Sequence, residues 1–195
     1  MATLQRALGR ASHDVKDALN GVSVNLEVIR SRAVRPDTPA SAVASFAESA
    51  GHQLERLTSL IEAVLALGRA ERAPVDVGVT LRRVVTICGA STSSDDAAVR
   101  LVQDASMGST FSRVSPDVVR LALLTLLLDL VVSPARGSSL SEVTCTLSTN
   151  DEGVRVRFAA GNRTATAPDA LAEVLRGAGV RWTDGNDISL TFPPA

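Results

Sequence analysis

The 195-residue chain has no tyrosine, one tryptophan, two histidines and two cysteines, and aromatic residues make up only 3% of it. So few aromatic faces leave little with which to stack nucleic-acid bases. With 20 basic and 21 acidic side chains the net charge is −1, and no basic field draws nucleic acid or an anionic membrane surface. Cys88 and Cys145 stand apart, with no metal-ligand spacing around either, and read as buried free thiols of a reducing compartment rather than a disulfide. The longest apolar run, Leu121 to Val132, contains Thr125 and Asp129 and is too short to cross a bilayer. The opening residues lack the apolar stretch of a signal peptide. The expectation is a soluble, cytoplasmic protein that engages neither nucleic acid nor membrane.

What the chain does have is apolar content, 45% of its residues, and a regular arrangement of it. Leu8, Ala11, Val15, Ala18, Val22, Leu26 and Ile29 recur at spacings of three and four, the seam of an amphipathic helix. Val43, Ala47, Ala50, Leu54, Leu57, Ile61 and Val64 repeat the pattern. Between them "RPDTPA", Arg35 to Ala40, breaks one helix and restarts the next. Residues from about 3 to 72 are therefore expected to form an antiparallel helical hairpin. Two helices enclose no core, so the simplest completion is a homodimer that joins two hairpins into a four-helix bundle. The domain division expected is 1–73 for the hairpin and 74–195 for the remainder.

The remainder reads as α+β. Val79 to Cys88 is a short amphipathic helix, and the polar "GASTSSDDA", Gly89 to Ala97, is a loop. Val99 to Val102 and Phe111 to Val114 are short strands, and Pro116 opens an apolar helix that runs to Val132. Ser141 to Ser148 and Gly153 to Phe158 alternate as strands around "TNDEG". Pro168 to Arg176 is a helix, and two short strands flank Asp184-Gly185-Asn186. Strands and helices sharing one core make a sandwich.

One polar feature of the first helix invites chemistry. His13 lies two residues after Ala11 and two before Val15, about 200° around the helix from the seam, so it faces outward. Arg10, Lys16 and Asp17 are its neighbours at three and four residues. An exposed neutral imidazole is nucleophilic near neutral pH, and cations beside it offset phosphate charge, which suits attack on a phosphoryl group. Either Asp14 or Asp17 can fix the ring tautomer: helix geometry favours Asp17, since adjacent residues diverge by about 100°. The other histidine, His52, has Gln53 after it and reads as a solvated polar residue.

"SHDVKDALNGVSVNLEVI", Ser12 to Ile29, resembles the H-box of two-component histidine kinases, where a phosphoaccepting His is followed by an acid, a basic residue and a Pro-Leu pair on the first helix of a dimeric hairpin. His13, Asp14, Lys16 and Leu19 match, and Ala18 replaces the proline. Asp17 stands where phosphatase-competent members carry Thr or Asn. The resemblance implies that Asp14 polarises the imidazole. "SPDVVRLALLTLLLDLVVSPARG", Ser115 to Gly137, resembles the N-box helix of the same family, with Thr125 and Asp129 in place of two asparagines. The acid that recognises adenine in that family is replaced by Ala159 or Ala160, with Gly161 kept, and the span from Ala167 to Val180 leaves no room for a glycine-rich lid.

A hairpin that keeps its histidine beside a kinase-like sandwich without a nucleotide site resembles the histidine phosphotransferases of bacterial phosphorelays. The resemblance implies a phosphoryl group relayed between receiver-domain aspartates through His13, with Asp14 and Asp17 orienting it. Arg10, Lys16, Asn20 and Ser23 would dock the receiver. The protein would need no cofactor of its own, Mg2+ being held by the partner response regulator. Two alternatives stay open: an active histidine kinase with a shortened ATP site, and a catalytically silent dimeric adaptor for response regulators.

Overall fold

The computed structural model describes residues 2–35, 39–69, 71–90, 99–103, 108–132, 143–161, 167–183 and 188–195. The first two helices are α1, Ala2–Ala33, and α2, Ser41–Leu67, packed against each other along their lengths as a hairpin. Glycine lets them approach: a Cβ on Gly21 would lie 2.5 Å from the Gln53 carboxamide. Beside it the Asn25 amide donates to Gln53 Oε1 and to Ser49 Oγ, both at 3.2 Å, a partly exposed polar layer at the edge of the helix interface. At the closed end Arg32 donates to the Ala42 carbonyl at 2.7 Å and lies over the Phe46 ring, 4.6 Å from its centroid.

The seam is shared differently from the sequence expectation. Ala7, Ala11, Ala50, Leu57, Leu60, Ala63 and Ala66 are buried, whereas Leu8, Leu26, Leu54 and Ile61 are exposed. A single hairpin covers only the side of each helix that meets the other. Leu19, Leu26, Leu54, Ile61 and Leu65 are left as apolar surface on its flanks.

Beyond α2 come β1, Val75–Asp76, α3, Val77–Ala90, β2, Val99–Gln103, β3, Phe111–Ser112, and α4, Pro116–Val132. Then follow β4, Val143–Asn150, β5, Gly153–Ala159, α5, Asp169–Gly177, β6, Arg181–Thr183, and β7, Ile188–Phe192. β1 was not expected; two residues are too few for a periodic signal, and pairing with β3 makes the strand. α3 also reaches Ala90, through Gly89, which was expected to open the loop. Most of that loop, residues 36–38 of the stretch Arg35 to Ala40, and Asp184-Gly185-Asn186 lie outside the described residues.

The main sheet is mixed, in the order β2-β4-β5-β7-β6, with β2 parallel to β4 and every other pair antiparallel. The β4–β5 turn depends on Gly153, whose φ of +128° is closed to other residues and whose added Cβ would collide with the Phe192 carbonyl. Along β5, Val154, Val156 and Phe158 enter the core while Arg155 and Arg157 face water. Leu81 and Val84 of α3, Leu123, Leu127 and Leu130 of α4, and Leu190 and Phe192 of β7 complete one continuous core. α4 carries leucine on nearly every side because it is buried on nearly every side. The chain is thus a mixed α+β fold, and among the described residues no helix is long and apolar enough to cross a membrane.

Two joints tie the hairpin to this layer. Ala11, Leu60 and Ala63 pack on Ile87 of α3, and Ala7 enters the main core. Glu71, just past α2, accepts from Arg83 of α3 and pairs with Arg120 of α4, each at 2.9 Å. Arg120 is buried and also meets Asp117 at 3.3 Å, so the guanidinium that the fold encloses is held by two carboxylates. Asp76 closes the same region: its carboxylate accepts from the Val79 amide at 3.0 Å and from Thr110 Oγ1 at 2.7 Å, capping α3.

Candidate functional site around His13

α1 runs without a break through Ala11 to Asn20, since alanine at position 18 imposes no proline kink. The straight helix fixes the order of side chains around His13. The imidazole is 74% exposed, and its Nδ1 stands 2.9 Å from Asp17 Oδ2, one turn on. Asp14 Oδ1 is farther, at 3.9 Å, and the Asp14 side chain is only 13% exposed against 61% for Asp17. Of the two carboxylates offered by the sequence, the nearer to the ring is the i+4 one. A neutral imidazole that donates Nδ1–H to Asp17 keeps its lone pair on Nε2, and an outward Nε2 is a nucleophile. If positive charge develops on the ring, the adjacent carboxylate stabilises it.

Donor atoms of His13, Asp14 and Asp17 lie within 4.8 Å of one another, a set that a divalent cation could also use. A cation there would take the Nδ1 lone pair and with it the hydrogen bond to Asp17. That arrangement competes with the nucleophilic tautomer rather than supporting it.

The other positions singled out on α1 divide by side. Lys16 and Asn20 are exposed and share the His13 face by helical spacing. Ser23 is exposed but turned partly aside, and its hydroxyl donates to the Leu19 carbonyl at 2.9 Å. The Arg10 side chain lies outside the described residues. Val24, 63% exposed, continues the His13, Asn20 line by one more turn and was not among the sequence candidates. Its signal is an apolar side chain on a polar face, opposite the seam. His52 is exposed on α2 beside Glu48, Gln53 and Arg56, and among the described residues no carboxylate forms an ion pair with it.

In the α/β layer, Thr125 is half-buried within α4 and Asp129 is exposed near its end. Ala159 ends β5 and Ala160, buried, follows it, with no carboxylate at either position. The residues that would flank a nucleotide there, 133–142 and 162–166, lie outside the described residues.

No protein-family model matches the chain, and no curated protein matches it. Solved structures do. The Acinetobacter baumannii histidine kinase AdeS is 12% identical, with a TM-score of 0.42 over 93% of this chain and 97% of that one. The histidine kinase domain of the Erythrobacter litoralis EL346 blue-light-activated kinase is 13% identical, with a TM-score of 0.47 over 97% and 94%. A bacterial phosphotransferase is 15% identical, with a TM-score of 0.46 over 96% and 94%. Identities and scores of this size assign neither a family nor an activity.

Proposed function

We propose that the protein is a histidine phosphotransferase of a two-component phosphorelay, with His13 as the covalent carrier. The observation that carries this reading is the 2.9 Å contact of His13 Nδ1 with Asp17 on an otherwise exposed ring, which leaves Nε2 free to attack. In the forward step the Nε2 lone pair forms a bond to phosphorus as the acyl phosphate P–O bond of a receiver aspartate breaks. The aspartate leaves as carboxylate, and Nδ1–H stays in place, its positive ring balanced by Asp17. The reverse step hands the phosphoryl group to a second receiver. Mg2+ held by the receiver neutralises the phosphoryl oxygens, so this chain supplies the nucleophile and the docking face rather than the metal.

The docking face is the exposed line of Lys16, Asn20 and Val24 with Arg10 and Ser23 beside it. A second copy completes the hairpin through the flank bearing Leu19, Leu26, Leu54 and Ile61, giving a homodimeric four-helix bundle with one His13 per protomer. Loss of the adenine-binding acid at Ala159 and Ala160 favours this reading over an ATP-dependent kinase.

The deciding experiment is incubation with phosphorylated receiver domains, followed by detection of acid-labile, alkali-stable phosphate on this chain. Label is expected from a receiver and not from ATP labelled at the γ position. Label from ATP alone would replace the phosphotransferase with the kinase. Receiver binding without any label would leave the adaptor.

A further inference from the structure

A second polar feature lies away from the His13 face, where the last turns of α2 pass α3. Alanine makes it: Ala63 and Ala66 are the buried residues of α2 there, and side chains this short leave a trough between the helices instead of filling it. The cleft has a volume of about 460 Å³, within the range of small-molecule sites. Among the described residues its rim holds three arginines, Arg69 just past the end of α2 and Arg82 and Arg83 from α3, against one acid, Glu62. Thr86 and Ser59 add hydroxyls, and among the described residues no aromatic side chain lines it.

The three arginines are not equivalent. Arg83 is held by Glu71 at 2.9 Å, and Glu71 is held in turn by Arg120, so this guanidinium forms a fixed wall. Among the described residues neither Arg69 nor Arg82 has a carboxylate partner. Both are exposed, Arg82 on α3 and Arg69 two residues past the end of α2, beside the alanine floor. Two exposed guanidiniums lining one concave, partly apolar surface concentrate positive potential in it. Their planar donor forks match phosphate oxygens.

We infer that this cleft is a binding site for a compact, multiply charged phosphate compound, bridged between α2 and α3 by Arg69 and Arg82. The volume admits a pyrophosphate or a sugar bisphosphate. The lack of an aromatic surface gives a nucleobase nothing to stack on, so the recognised part is the phosphate. This inference does not depend on His13 carrying phosphate.

The test is titration of the intact protein with inorganic pyrophosphate, read by calorimetry and by amide resonances of Thr86 and Ala66. A sugar bisphosphate and sulfate serve as parallel arms. Pyrophosphate or the bisphosphate is expected to bind with micromolar affinity and sulfate much more weakly, and the tighter of the two identifies the source. Arg69→Ala and Arg82→Ala should each lower affinity about tenfold. Glu62→Gln should raise it roughly twofold to threefold by removing the one like charge, a gain that misfolding cannot imitate. Arg30→Ala, an exposed arginine of α1 outside the cleft, should change nothing. A Kd weaker than about 1 mM for both phosphates overturns the site. So does a loss at Arg30→Ala equal to that at Arg82→Ala, which would mean charge attraction without a site. Binding of an acidic receiver surface to the cleft, with no small phosphate bound, would also overturn it.

Discussion

At the scale of single residues, His13 and its two acids make the sharpest expectations. His13→Ala should abolish receiver-dependent labelling while circular dichroism stays that of the wild type, because the ring is exposed and alanine is a good helix former. His52→Ala should leave labelling unchanged. Asp17→Asn should slow transfer about tenfold to a hundredfold, since an amide in its place no longer balances imidazolium charge. Asp14→Asn should slow it less, as its carboxylate stands a full ångström farther from Nδ1. A larger loss at Asp14 in single-turnover transfer would reverse the assignment of the orienting acid. Spacing alone pointed to His13 and its outward face, because helical angles follow from sequence position. Helix spacing favoured Asp17 and the family resemblance Asp14; which carboxylate stands nearer the ring turns on side-chain rotamers that two acids in one helical turn do not disclose. The two thiols make a separate case. Cys88 and Cys145 are fully buried, and burial, with Cys88 alongside, pushes the Cys145 thiol up to about 12. Neither should react with a water-soluble disulfide reagent until the protein unfolds. The raised folded value means stability is complete below pH 9.0, where the unfolded thiol is also protonated, and falls as pH rises from 9.0 toward 12. A pH–stability profile of Cys145→Ala with a smaller loss across that window would bear this out, and an unchanged loss would contradict it.

At the scale of elements, two leucines one turn apart separate packing within a hairpin from packing between hairpins. Leu57 is buried in the single chain, and Leu54 is 53% exposed. Leu57→Glu is therefore expected to unfold the hairpin, and Leu54→Glu to release folded monomers from the dimer. Light scattering with circular dichroism distinguishes the two; a wild type that is monomeric at micromolar concentration would end the dimer proposal. The long helices and most of the strands were legible because periodic burial leaves a period in the sequence, as in Val154, Val156 and Phe158. Which half of each heptad faces the partner helix was not legible. A stripe looks the same whether its neighbour is the same chain or another. β1 was invisible for a different reason, being defined by its pairing with Phe111 and Ser112 rather than by its own two residues.

At the scale of the whole molecule, one carboxylate joins three elements. Glu71 follows α2 and meets Arg83 of α3 and Arg120 of α4. No pattern of apolar residues announces such a junction, since its members lie far apart in sequence and only the fold brings them together. Glu71→Ala would leave the buried Arg120 with Asp117 alone, and is expected to cost about 1–3 kcal/mol in denaturant unfolding. A change below about 0.5 kcal/mol would show the junction to be ornamental. The polar layer of Asn25, Gln53 and Ser49 beside Gly21 has a consequence of another kind. Apolar stripes can slide past each other by a turn with little loss, but a glycine notch and its amide cannot. The layer acts as a dowel between two rods: it fixes how far along α2 the imidazole of α1 sits. Any protein that grips both helices at once then finds the His13 ring at one height, and lengthening the turn between the helices would leave that height unchanged.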